Sequence, residues 1–161
     1  MLPDHTSLAY AQGIDILGLC WLDTNHPKKA LECFITCWRI REKLLAKNDA
    51  FIAVALNHIS LAYTELRDFE QAAAYQQKAI DIRLEIESPL IGNSYSNMSS
   101  ILLGMGKPDE AEKILLKCPS LKDMTDESFL RTDNPRLSRY TLLHVLQGAS
   151  LSDQLLVTWY S

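Results

Sequence analysis

Large and small apolar positions recur along this chain in one order, three times over. Ile14, Leu17, Gly18 and Trp21 are followed, after a gap of eight residues, by Ala30, Phe34 and Cys37. The second copy is Leu56, Ile59, Ser60 and Tyr63, then Ala72, Gln76 and Ala79. The third is Tyr95, Met98, Ser99 and Leu102, then Ala111, Leu115 and Cys118. The steps between the alanines are 42 and 39 residues. Spacings of three and four put each set on one helix face. Gly18, Ser60 and Ser99 in the first halves, and Ala30, Ala72 and Ala111 in the second, leave room for a neighbouring helix. The intervening gaps hold turn chemistry: Asn25-His26-Pro27, Arg67-Asp68-Phe69 and Gly106-Lys107-Pro108. Pro27 and Pro108 suit the first turn of a helix, where a missing N–H costs little. Each copy predicts an antiparallel helical hairpin. One hairpin cannot bury its apolar face alone, so the copies must stack. The expected fold class is therefore all-α, an α-solenoid.

This pattern resembles the tetratricopeptide repeat, over roughly residues 6 to 118. Ile40-Arg41-Glu42-Lys43-Leu44-Leu45, followed by the run from Ala53 to Tyr63, is similar to the repeats of kinesin light chain. The same style occurs in the helical sensor regions of MalT-like regulators and in fungal arrays that follow nucleotide-binding switch domains. Gln76 departs from the pattern, which usually has a bulky residue there, and the third repeat starts short. The resemblance implies a right-handed superhelix of about three repeats plus a partial C-terminal one. Residues 1–118 divide into hairpins at about 6–46, 50–87 and 90–118. A connecting loop is expected over 119–136, after Pro119, and an incomplete or degenerate fourth hairpin over 137–161. In that last segment Asp153 falls where the small alanine belongs, and Trp159 lies in an apolar end with no polar capping face. The chain thus reads as a short or truncated member of a longer array, with self-association through its C-terminal hairpin.

Composition narrows the partners. The 161 residues carry a net charge of −4 and 47% hydrophobic residues, the profile of a globular chain. That balance points away from nucleic acid and from anionic membranes. No apolar run approaches the ~20 residues of a membrane span. The N-terminus has no basic region leading into an apolar run, so a cytoplasmic location with reduced cysteines is expected. Asn97-Met98-Ser99 matches a glycosylation sequon, which is read as chance in such a chain.

Catalytic signatures are weak. Gly104-Met105-Gly106-Lys107 lacks the first Gly of a phosphate loop and has Pro108 in place of Ser or Thr. Gly92-Asn93-Ser94-Tyr95-Ser96 lacks the second Gly of a nucleophile elbow. Cys33 and Cys37 lie one helical turn apart and could join His26 or Cys20, but spacing secures two ligands where structural zinc needs four. No cofactor, metal or enzymatic activity is expected.

Under the repeat resemblance, the first helix of each hairpin lines the concave face. Positions there that do not pack between helices are candidates to meet a partner. These are Asp15, Leu19 and Leu22 in the first copy, and Asn57, His58, Leu61 and Thr64 in the second. The third copy supplies Asn93, Ser96, Asn97 and Ser100. Asn and Ser can bond both N–H and C=O of an extended peptide, and the leucines could form apolar pockets. The expected function is a protein–protein interaction module that binds a peptide or protein segment. The alternative is a regulatory or sensor fragment of a larger switch protein or MalT-like regulator. Co-chaperone members of the repeat family grip acidic chaperone tails with basic residues on this face. Asp15 and Leu19 occupy such positions here, and an acid repels a carboxylate, so that binding mode is not expected.

Overall fold

The computed structural model describes residues 6–118, and they form six α-helices. In order these are α1 (Leu8–Asp23), α2 (Pro27–Leu44), α3 (Ala50–Glu65), α4 (Phe69–Glu85), α5 (Ile91–Gly104) and α6 (Pro108–Leu115). Each packs against the next in the chain, giving three hairpins stacked side by side. The expectations for residues 119–136 and 137–161, including self-association there, lie outside the described residues.

Local chemistry sets the helix ends. Ser7, Asp49 and Asp68 cap α1, α3 and α4, each accepting a backbone N–H from the first turn. Pro27 and Pro108 open α2 and α6. The turn inside every hairpin is the same. Asn25, Arg67 and Gly106 hold φ of 61°, 60° and 72° in the left-handed region. The next residue's N–H then reaches back five positions, from His26 to the Trp21 carbonyl, Asp68 to Tyr63 and Lys107 to Leu102. This closure satisfies the last carbonyls of the first helix. Only Gly106 adopts the left-handed conformation without steric cost; Asn25 tolerates it and Arg67 bears strain.

Small residues let the helices within a hairpin approach. A Cβ at Gly18 would sit 2.4 Å from the Phe34 ring, which is fully buried. Ser60 occupies the equivalent place in the second hairpin and bonds the Ala72 carbonyl at 2.8 Å. Ala30, Ala72 and Ala111 are all fully buried. Phe34 anchors a cluster with Ala30, Ile59 and Ala62, so the first and second hairpins share one core. Ile80, Ile91, Tyr95, Met98 and Cys118 form the corresponding core of the second and third. Removing a ring such as Phe34 from such a core costs about 3–5 kcal/mol.

Stacking also explains a contrast along the repeat. Ile59 and Met98 are buried, whereas Leu17, at the same place in the first hairpin, is 43% exposed. Ile59 lies against the hairpin before it; no described element stands before α1. Among the described residues no helix is long and apolar enough to cross a membrane.

Candidate functional site

The second helix of each of the first two hairpins carries an arginine one full repeat apart. Arg41 on α2 and Arg83 on α4 are each only 5% exposed. Each donates Nη1 to the backbone carbonyl at the start of the next hairpin: Arg41 to Phe51 at 3.1 Å, Arg83 to Leu90 at 3.3 Å. Phe51 and Leu90 are themselves 39 residues apart, the second repeat step. The two guanidinium groups therefore perform one structural task at two successive junctions.

At the first junction Arg41 Nη2 pairs with Asp15 Oδ2 at 3.1 Å, and His58 Nδ1 meets Asp15 Oδ1 at 2.8 Å. Burial on its own would raise the Asp15 pKa. The hydrogen bond and charge of His58, with the Arg41 guanidinium, outweigh burial and hold it below its ordinary value of 3.8. The Phe34 ring lies 5.2 Å from the His58 ring and closes the site from below.

At the second junction the equivalent of Asp15 is Asn57, and the equivalent of His58 is Asn97. Asn97 Nδ2 donates to Asn57 Oδ1 at 2.8 Å, as His58 does to Asp15. Gln76, fully buried, reaches the same Asn57 oxygen at 3.3 Å and the Ser94 carbonyl at 3.2 Å. Arg83 bonds Ser94 Oγ in addition to the Leu90 carbonyl. No carboxylate pairs with it among the described residues. Burial pulls its pKa below the usual arginine value, and no neighbouring charge opposes that.

A pocket of about 370 Å³ opens at this second junction, lined by Val54, Asn57, His58, Arg83, Asn93, Ser96 and Asn97. Five residues expected at the binding face thus converge here: Asn57, His58, Asn93, Ser96 and Asn97. Asn93 and Ser96 are exposed, and Asn57, His58 and Asn97 half-buried. Thr64 and Ser100 lie further along α3 and α5 and bond the Ser60 and Ser96 carbonyls of their own helices. Leu61 is 36% exposed and stands outside the pocket.

The first-copy expectations need correction. Asp15 is not free to meet a partner: it is buried between Arg41 and His58, because the stacked second hairpin brings both to it. Its charge is compensated, so it gives no ground for excluding an acidic partner. Leu19 and Leu22 pack against the Phe34 cluster rather than forming open pockets. Sequence reasoning missed Arg83. The signal was present: Arg83 follows Arg41 by 42 residues, the step of the first two alanines.

The cysteines are all free thiols. Burial first, then the Asp15 charge, pushes Cys37 up to about 12, which leaves it an unreactive thiol inside the α1–α3 packing. Among the described residues no three His, Cys, Asp or Glu side chains gather where they could hold a metal.

Comparison with known proteins bears on this geometry directly. Residues 52–89 match the tetratricopeptide repeat family, and residues 92–123 match it a second time. The chain carries tetratricopeptide repeats. Its fold is similar to that of the nearly identical TPR-like repeats of a kinesin light chain from Podosopora anserina, known from a crystal structure. That likeness has a TM-score of 0.74 and 16% sequence identity, and it covers 96% of this chain and 73% of the other. No curated protein matches the chain. Tetratricopeptide repeats are protein–protein interaction modules. The two matched repeats meet at the pocket: Val54, Asn57, His58 and Arg83 belong to the first, and Asn93, Ser96 and Asn97 to the second.

Proposed function

We propose that this tetratricopeptide-repeat chain binds an extended peptide segment of a protein partner along the α3–α5 face, the concave side of the array. The supporting observation is the polar pocket at the junction of the two matched repeats. Its lining combines donors and acceptors in the alternation that a peptide backbone needs. Asn57 accepts two bonds at Oδ1, and its Nδ2 has no partner among the described residues. Asn97 donates to Asn57 and keeps its oxygen for an incoming N–H. The Asn93 and Ser96 side chains form no bond among the described residues and stand in solvent. An amide can both give to a carbonyl and accept from an N–H, so the set recognises main chain rather than one side chain.

The mechanism is recognition by a preformed surface. The arginines and buried small residues fix α3 and α5 relative to one another, so binding orders the peptide and leaves the scaffold unchanged. The test is a displayed library of extended heptapeptides screened against the wild type and an Asn93→Ala, Ser96→Ala double variant. Both positions are exposed, so the variant should melt at the wild-type temperature and bind selected peptides about tenfold more weakly or worse. Undiminished binding by the variant would move the contact surface away from this face.

A further inference from the structure

The two junctions are built alike, but one lacks an anion. Arg41, Asp15 and His58 correspond, one repeat step on, to Arg83, Asn57 and Asn97. The arginine is retained, with the same bond to the start of the next hairpin, and the donor onto the central residue is retained as well. The central carboxylate becomes a neutral amide. Arg83 uses Nη1 for both of its bonds. Its Nη2 and Nε have no partner among the described residues, and neither is sealed from solvent. The side chain is 5% exposed and lines the pocket, so those N–H groups open into it.

We propose that the pocket at the second junction is a subsite for one carboxylate of the bound segment, an acidic side chain that takes at Arg83 the place Asp15 takes at Arg41. This rests on the peptide-binding reading above and gives it a chemical preference.

The chemistry fits the fork geometry of a guanidinium. Arginine presents five N–H donors in one plane, and a carboxylate accepts two of them side by side. Nη2 and Nε lie on one edge of that plane, the edge left unused here. A buried cation without an anion carries a desolvation cost that an incoming carboxylate offsets. That gain is available only because Arg83 is already held in place by Leu90 and Ser94, so little ordering accompanies binding. Asn57 Nδ2 and Asn93 supply further donors to the same anion. His58 lies at the rim with Nδ1 engaged by Asp15, so it contributes its ring edge. No acid lines the pocket to repel the ligand. A lysine or arginine on the partner would meet Arg83 as a like charge and be rejected.

The experiment uses the full chain and a probe that copies Asp15: N-acetyl-aspartate N-methylamide, with the asparagine analogue as control. The arginine Nε–H resonances are followed by NMR at constant ionic strength. The expected result is a saturable shift of the Arg83 signal with the aspartate probe and none with the asparagine probe. In Asn57→Asp the new carboxylate occupies the subsite from within. That variant should melt at a higher temperature than wild type and bind the aspartate probe about tenfold more weakly or worse. The peptide library is then screened with its central position fixed as Glu, Gln or Lys. Preference for Glu, lost in Asn57→Asp, supports the subsite in its peptide setting. Equal responses to the two probes, or an Asn57→Asp variant that binds the aspartate probe like wild type, overturns the subsite. Binding of the aspartate probe with no peptide selected from any library retains the subsite and overturns the peptide-binding reading. Peptides selected equally with Glu and Gln overturn the acidic preference and leave that reading standing.

Discussion

The junction between the first and second hairpins and the junction between the second and third share an arginine, a backbone carbonyl and a helix-to-helix donor. They differ at the residue in the middle. Asp15 closes the first junction with an internal carboxylate, and Asn57 leaves the second open beside a pocket. The lesson is that a repeat scaffold separates structural and binding tasks at one position. The arginine's bond to the next hairpin holds the stack in both places. The central side chain decides whether the guanidinium is satisfied from within the chain or faces outward. The facing helix changes with it: Phe34 under the first junction demands Gly18, whereas Gln76 under the second joins the polar network.

The most severe way to break this contrast is Asp15→Asn, which gives the first junction the central residue of the second. It leaves Arg41 buried without its anion, and the expected loss is about 3 kcal/mol of stability, read by urea unfolding. A loss within experimental scatter would mean that the acid is not what closes the first junction. The same difference is visible in acid. The folded Asp15 pKa lies below its ordinary value, so its contribution is present above about pH 4 and disappears as pH falls through the folded value. Fluorescence of Trp21 and Trp38, both in the first hairpin, should report an acid transition in the wild type that Asp15→Asn lacks.

Gly18→Ala is the next largest. The new Cβ meets a buried ring at 2.4 Å, and Phe34 has no room to retreat, so overpacking should cost about 2 kcal/mol. The matching change in the second hairpin, Ser60→Ala, adds no atom and should lose only its bond to the Ala72 carbonyl, about 1 kcal/mol. Similar melting temperatures for the two variants would contradict the difference in packing. The smallest effect is expected for Gln76→Leu. It restores the bulky residue usual at this place and removes a buried amide whose Oε1 has no partner. The two bonds it loses leave Asn57 still bonded to Asn97. Stability should rise by less than about 1 kcal/mol, while peptide binding at the pocket weakens because Asn57 is held by one donor instead of two. An unchanged affinity would show that Gln76 has no part in setting the pocket.

Much of the helix pattern could be read from the chain because it depends on local spacing. The small residues at Gly18, Ser60 and the three alanines, the caps and the turn residues all act within one hairpin. The binding-face expectations fared unevenly for a physical reason. Periodicity says which side of a helix a residue occupies, but not what the next hairpin places there. Asn57, His58, Asn93, Ser96 and Asn97 do meet at one pocket. Asp15 occupies the same side of its helix as Asn57 and is covered, because His58 and Arg41 arrive from two other helices. Leu19 and Leu22 are likewise taken up by the Phe34 cluster. Arg83 escaped notice because a single basic residue on a polar helix looks like a solvated surface until its burial is known.

The sequence by itself determined the repeat: three hairpins, their turns and the small residues that let their helices close, since each rests on side chains within a few residues of one another. The tertiary structure alone decided which polar side chains are satisfied. Asp15 and Arg41 are 26 residues apart, and Asp15 and His58 are 43 apart. Whether such groups meet depends on how one hairpin seats on the next. That seating leaves one arginine neutralised at the first junction and its counterpart facing an open pocket at the second.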